Sequence, residues 1–128
     1  MKLFLSAAVL LLVGGCSDSC TNTLVTSAIA PDGEHRAALF QRDCGATTGF
    51  STQISVAASG QRPSSTGNAF RADDDHGAAT VGKWGGPWAE VKWFAATHLH
   101  VRYASRSRVF EKADQIGGVR LTYEEVAH

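Results

Sequence analysis

The sequence predicts an all-β fold: a small antiparallel meander of about six strands, preceded by an N-terminal signal helix. Three observations lead there. Apolar and polar residues alternate with a period of two in several short runs, whereas helical periodicity is weak throughout. Gly, Pro and Asp punctuate these runs at hairpin spacing. The chain of 128 residues, with its hydrophobic leader set aside, has the length of one small domain.

The leader comes first. Lys2 supplies one positive charge, Leu3 to Val13 form an apolar run, and Gly14-Gly15 lead into Cys16. That run is too short to span a bilayer as a finished helix. Val13-Gly14-Gly15-Cys16 resembles the lipobox of bacterial lipoprotein signal peptides, with Val13 where Leu is usual. In that family the Cys is acylated and becomes the first residue of the mature chain. The resemblance therefore implies a signal peptide over 1–15, a lipidated tether over 16–22 and a single antiparallel β domain over 23–128. An ordinary secretory signal with a Cys close by is the alternative.

Strand signals follow in order. Arg36 to Gln41 and Thr52 to Ala57, the latter carrying Ile54 and Val56, are strand-like. Between the leader and the first of them, Pro31-Asp32-Gly33 is a strong turn, because Pro presets φ and Gly accepts a positive one. Gly60 to Trp88 is rich in Gly, Ser, Asp and Ala. So long a connection is expected to be functional, mobile or partly strand, with Asn68 to Ala72 as the hidden strand. Alternation returns in Glu90 to Trp93, in His98 to Tyr103 and in Gly118 to Glu124. Ala95-Ala96-Thr97 and Ile116-Gly117-Gly118 are the expected hairpin turns. Trp93, Phe94, Leu99, Val101, Val109, Phe110 and Tyr123 are the expected core.

Charge narrows the partners. The whole chain carries 12 basic and 12 acidic residues. Removing residues 1–15 leaves 113 residues and takes away Lys2, for a net charge near −1. Nucleic acid and anionic lipid faces both select a basic excess, so neither is an expected partner. The expected partners are the bilayer, through acylated Cys16, and an envelope protein.

The three cysteines are Cys16, Cys20 and Cys44. If Cys16 carries lipid, Cys20 and Cys44 form an even pair in a compartment where disulfides persist. A free thiol or a Cys-based metal site at Cys44 are the other readings, though no Cys-x-x-Cys and no neighbouring His support them.

Ala30-Pro31-Asp32-Gly33-Glu34, followed by Ala37-Ala38-Leu39-Phe40, resembles the hairpin entry of blades in TolB-like β-propellers. The chain has length for about one blade, so the resemblance implies a single four-stranded blade-like unit; a plain turn is the alternative. Arg42 to Gln53, of which Asp43-Cys44-Gly45-Ala46-Thr47-Thr48-Gly49-Phe50 is the most specific part, together with Pro31-Asp32-Gly33, Val109-Phe110 and Gly118-Val119, looks like a group of small exported bacterial proteins with no assigned activity. That likeness supplies no catalytic residue. Physically, the segment is either an anion-binding nest or a disulfide-pinned turn that starts the next strand.

Two clusters could hold a metal. Asp73-Asp74-Asp75-His76 gathers three carboxylates and an imidazole, but consecutive residues seldom all face one ion, and an EF-hand spacing is absent. His98 and His100 lie two apart and so share a strand face, where Asp75 or His76 could complete a Zn²⁺ or Cu²⁺ site. Arg102 continues that face and would repel a cation, so a solvated polar face competes with this reading. No cofactor motif of the Walker or dinucleotide type and no Gly-x-Ser-x-Gly elbow is present. The expected function is thus a membrane-anchored envelope lipoprotein with a binding or structural role. The alternatives are a metal-binding envelope protein and a hydrolase-like enzyme using Cys44 or a His–Asp pair. With Ser17 after Cys16, the lipoprotein resemblance implies the outer membrane, facing the periplasm, in a Gram-negative source.

Overall fold

The computed structural model describes residues 19–45, 48–61 and 65–127. Cys16, Lys2 and the remainder of the leader lie outside the described residues. The fold is all-β, as the alternation predicts, but among the described residues nine strands form two sheets where a single meander of about six was expected.

The first sheet begins with β1 (Thr21–Ile29) and β2 (His35–Asp43), an antiparallel hairpin turned by Pro31-Asp32-Gly33. Gly33 has φ +77°, its N–H bonds to the Ala30 carbonyl at 2.8 Å, and Asp32 Oδ1 accepts from the Glu34 N–H at 3.0 Å. Thr21 and Asn22, read as tether from the sequence, already open β1. β3 (Ser51–Ala58) and β4 (Phe70–Asp73) continue the sheet, and β4 is the strand hidden near Asn68 to Ala72. β5 (Ala89–Ala95) and β6 (His98–Ala104) then start a second sheet as a hairpin. The chain returns to the first sheet for β7 (Arg108–Lys112), which pairs with β4. β8 (Gln115–Ile116) and β9 (Val119–Val126) complete the second sheet. Gly117 and Gly118, with φ +51° and +83°, make their two-residue turn, as hairpin loops with two positive φ values require.

The strand orders are β1-β2-β3-β4-β7 and β5-β6-β9-β8. Every pair is antiparallel except β6 with β9. Parallel neighbours need a long crossover, and residues 105–118 provide it by way of the first sheet. The two sheets face each other over one core. Leu39, Ile54, Val56 and Phe70 come from the first, and Leu99, Val101, Val119 and Leu121 from the second. Trp84, Trp93 and Tyr123 pack at its margin.

Three residues expected in the core are not there. Phe94, Val109 and Phe110 are 54%, 36% and 58% exposed. Phe94 alternates with the inward Trp93, and Phe110 sits at the bulge where the β4–β7 register slips between Arg71 and Ala72. Burial of β2 and β3 is instead nearly continuous, because both faces are covered. The segment before β4 crosses the outer face of this sheet. Ser65 O accepts from Arg42 at 2.9 Å and from Asn22 at 2.7 Å, and Gln53 Oε1 accepts from the Gly67 N–H at 2.7 Å. A Cβ on Gly67 would lie 2.7 Å from the Ile54 carbonyl oxygen, so only glycine lets the segment approach so closely.

Candidate functional site

Two places on the surface bring polar side chains together. One is a cleft of about 460 Å³ at the end of the first sheet where β1 begins. The Cys20–Cys44 disulfide closes this end: its cysteines continue the register of Thr21 opposite Asp43 by one step. Cys44, Thr48, Gly49, Asp73, Arg108 and Phe110 line the cleft. The expected pairing of Cys20 with Cys44 is therefore present, and Cys44 offers no thiolate for nucleophilic or metal chemistry.

Inside the cleft the acidic run is divided among separate tasks. Asp73 Oδ2 accepts from Arg108 Nη2 at 2.5 Å, and Asp73 Oδ1 accepts from the Asp75 N–H at 2.9 Å. Burial pushes the Asp73 carboxyl up, but the Arg108 guanidinium and the Asp75 N–H outweigh it and hold the pKa below its ordinary value. The Asp74 and Asp75 carbonyls accept from Ala79 and Ala78, while Asp75, His76 and Gly77 all take positive φ. The chain thus turns too sharply for the three carboxylates to meet. The Arg108 guanidinium also lies 5.3 Å from the centre of the Phe110 ring.

The second place is the outward face of β5, β6 and β9. His98 and His100 do share it, as their spacing requires, but they meet a hydroxyl. His98 Nε2 and His100 Nδ1 each lie 2.7 Å from Thr122 Oγ1. His100 Nε2 is 3.2 Å from Glu124 Oε1, and Arg120 Nη2 is 3.2 Å from His98 Nδ1. Arg120 can only donate, so His98 Nδ1 accepts and His98 Nε2 donates to Thr122. The Thr122 hydroxyl also meets His100 Nδ1, and His100 Nε2 donates to the Glu124 carboxylate. Burial first, then Arg120 and His100, push the His98 pKa down. Phe94 covers the two rings, stacked on His100 at 4.6 Å and edge-on to His98 at 5.2 Å. Arg102 bonds to Glu90 at 2.6 Å and approaches Glu124 at 3.5 Å.

This arrangement has the connectivity of a hydroxyl, a base and an orienting carboxylate. Its neighbouring cleft of about 210 Å³ is lined by Glu90, Lys92, Phe94, His100, Arg102 and Glu124, and Thr122 is not among the lining residues. The hydroxyl is held between the two imidazoles, 2.7 Å from each.

His98 and His100 stand on the second sheet, and Asp75 and His76 on the turn after β4. Among the described residues no three His, Cys, Asp or Glu side chains gather as metal ligands. Sequence reasoning missed Thr122, Glu124 and Arg120 as partners of the histidines. Alternation places all three on one face of β9, but nothing local in the sequence says that β9 runs parallel to β6. No protein-family model matches the chain, and neither a curated protein nor a solved structure is significantly similar to it.

Proposed function

We propose that the chain is a lipid-anchored bacterial envelope protein, whose β domain binds or supports other envelope components and does not itself catalyse a reaction. The observation that carries this reading is the Cys20–Cys44 bridge. It takes two of the three cysteines, and the third, Cys16, follows Gly14-Gly15 at the end of the apolar leader. A disulfide also belongs to an exported domain, where thiols are not kept reduced. Acyl chains on Cys16 contribute roughly 0.8 kcal/mol per buried methylene, so several chains make attachment effectively permanent. Ser17 after the lipidated residue supports the outer membrane, facing the periplasm, in a Gram-negative source.

Neither alternative gains a specific observation. The histidine pair is engaged with Thr122, and Cys44 is oxidised. Intact mass of the membrane-extracted protein tests the proposal. The expected mass lacks residues 1–15, carries acyl groups at Cys16 and is two hydrogens short for the bridge. An unacylated Cys16 in membrane-extracted or soluble protein would overturn it.

A further inference from the structure

We infer that the disulfide end of the first sheet is the face the domain lays on the bilayer, where it contacts zwitterionic lipid headgroups through Phe110 and Phe50. The inference rests on the proposed lipidation of Cys16 and adds which surface the lipid anchor presents. Its first support is reach. Cys16 precedes Cys20 by four residues, and an extended chain spans at most about 3.6 Å per residue, so the anchor lies within roughly 14 Å of Cys20. Cys20 is pinned to Cys44, so this short reach applies to the folded domain and not to a loose N-terminal arm. The opposite end of β1, with the Pro31-Asp32-Gly33 turn, lies about 30 Å further away at strand rise.

The second support is what that end exposes. Phe110 is 58% exposed and Phe50 39%, on the two segments that flank the disulfide cleft. Large aromatic rings in water are unfavourable, whereas the headgroup boundary accommodates aromatic rings whose neighbours are polar. Arg108 beside Phe110 supplies such a neighbour, its guanidinium held over the ring by its bonds to Asp73. Charge selects the kind of surface. Asp43, Asp73 and Asp74 stand at this end with Arg42 and Arg108. There is no basic excess of the sort that draws a protein onto anionic lipid.

Paramagnetic broadening of backbone amides tests the orientation. The nine strands of the described residues lie between Thr21 and Val126, so the chain from Cys16 onward contains all of them. With Cys20 and Cys44 bridged, Cys16 is the one thiol available for coupling to a maleimide lipid in zwitterionic nanodiscs doped with a gadolinium lipid. This coupling does not depend on acylation in the cell, so a failed orientation is distinguishable from a failed anchor, which intact mass reports. Amides of Cys44, Gly49, Phe50 and Phe110 should broaden severalfold more than those of Asp32, Gly33 and Glu34. Phe50→Ser with Phe110→Ser should lower the broadening at Gly49 and Phe110 severalfold, while the tether keeps Cys44 broadened and amide dispersion stays that of the fold. Equal broadening at both ends, stronger broadening at the Asp32 end, or broadening of Gly49 and Phe110 unchanged in the double variant would each overturn the inference. A contrast that grows on adding anionic lipid would overturn the assignment to zwitterionic headgroups.

Discussion

Thr52 joins the first sheet to the segment that closes the core beside it. Its side chain is fully buried, its hydroxyl donates to the Pro87 carbonyl at 2.6 Å, and it accepts from Trp84 Nε1 at 2.8 Å. Gln41 Nε2 also donates to the Trp84 carbonyl, so the 84–87 turn is held from two strands. Thr52→Val keeps the volume but leaves a buried N–H and a buried carbonyl without partners. The expected loss is about 1–3 kcal/mol in urea unfolding, with Trp84 fluorescence shifted by the change at its indole. A second residue-scale effect concerns acid. Asp73 titrates below its ordinary 3.8 in the folded protein, so folding favours its ionised form. That stability is fully present above the unfolded pKa and is lost as pH falls through the lower folded one. The pair is partly exposed, so its worth is under about 1 kcal/mol. Asp73→Asn should therefore lower Tm modestly at neutral pH, and the gap to the parent should close below about pH 4 in a Tm-against-pH series.

Among the elements, β1 shows what the disulfide does. It is an edge strand, paired on one side only, and most of its residues are exposed. The bridge fixes its first turn of ladder at a loop of sequence separation 24, for which the chain-entropy account gives about 3 kcal/mol. Cys20→Ala with Cys44→Ala should lower the urea unfolding free energy by about that amount, with amide protection in β1 falling before that in β2 and β3. β1 is also the element least legible in the sequence. A register shift between Leu24 and Thr26 breaks its alternation, and of its large apolar residues only Val25 packs against the core, with Leu24 and Ile29 exposed. β5, β6 and β9 were readable because each buries one face, so Leu99, Val101 and Leu121 fall at alternate positions. β2 and β3 were readable as strands, but not as strands covered on both faces, because the covering segment is polar. The candidate sites were legible in part. Cys20 and Cys44 pair by arithmetic and His98 and His100 share a face by spacing, whereas Thr122 and Arg108 reach their partners only through long-range pairing.

At the scale of the whole molecule, the order of strands ties the two sheets into one unfolding unit. β7 belongs to the first sheet, yet it lies in the chain between β6 and β9, which are neighbours in the second. Pulling β7 away from β4 therefore slackens the crossover that sets β6 and β9 parallel. Cross-sheet bonds act in the same direction. Trp93 Nε1 donates to the Ala28 carbonyl at 2.9 Å, and the Tyr123 hydroxyl donates at 2.6 Å to the carbonyl of Ala113, the residue that follows β7. Phe70 adds a packing tie: it is 1% exposed on β4, with its ring 5.2 Å from Tyr103 and 6.1 Å from Tyr123 on the opposite sheet. Phe70→Ala would empty that space, at a cost of about 3–5 kcal/mol. If the sheets form one cooperative unit, the loss is shared. Far-UV dichroism, near-UV tyrosine dichroism and Trp93 fluorescence should then give one coincident urea transition, displaced to lower denaturant in the variant. A far-UV transition that moves while the tyrosine signal of the second sheet keeps its midpoint would mean that the sheets unfold separately, and that the crossover through β7 does not couple them.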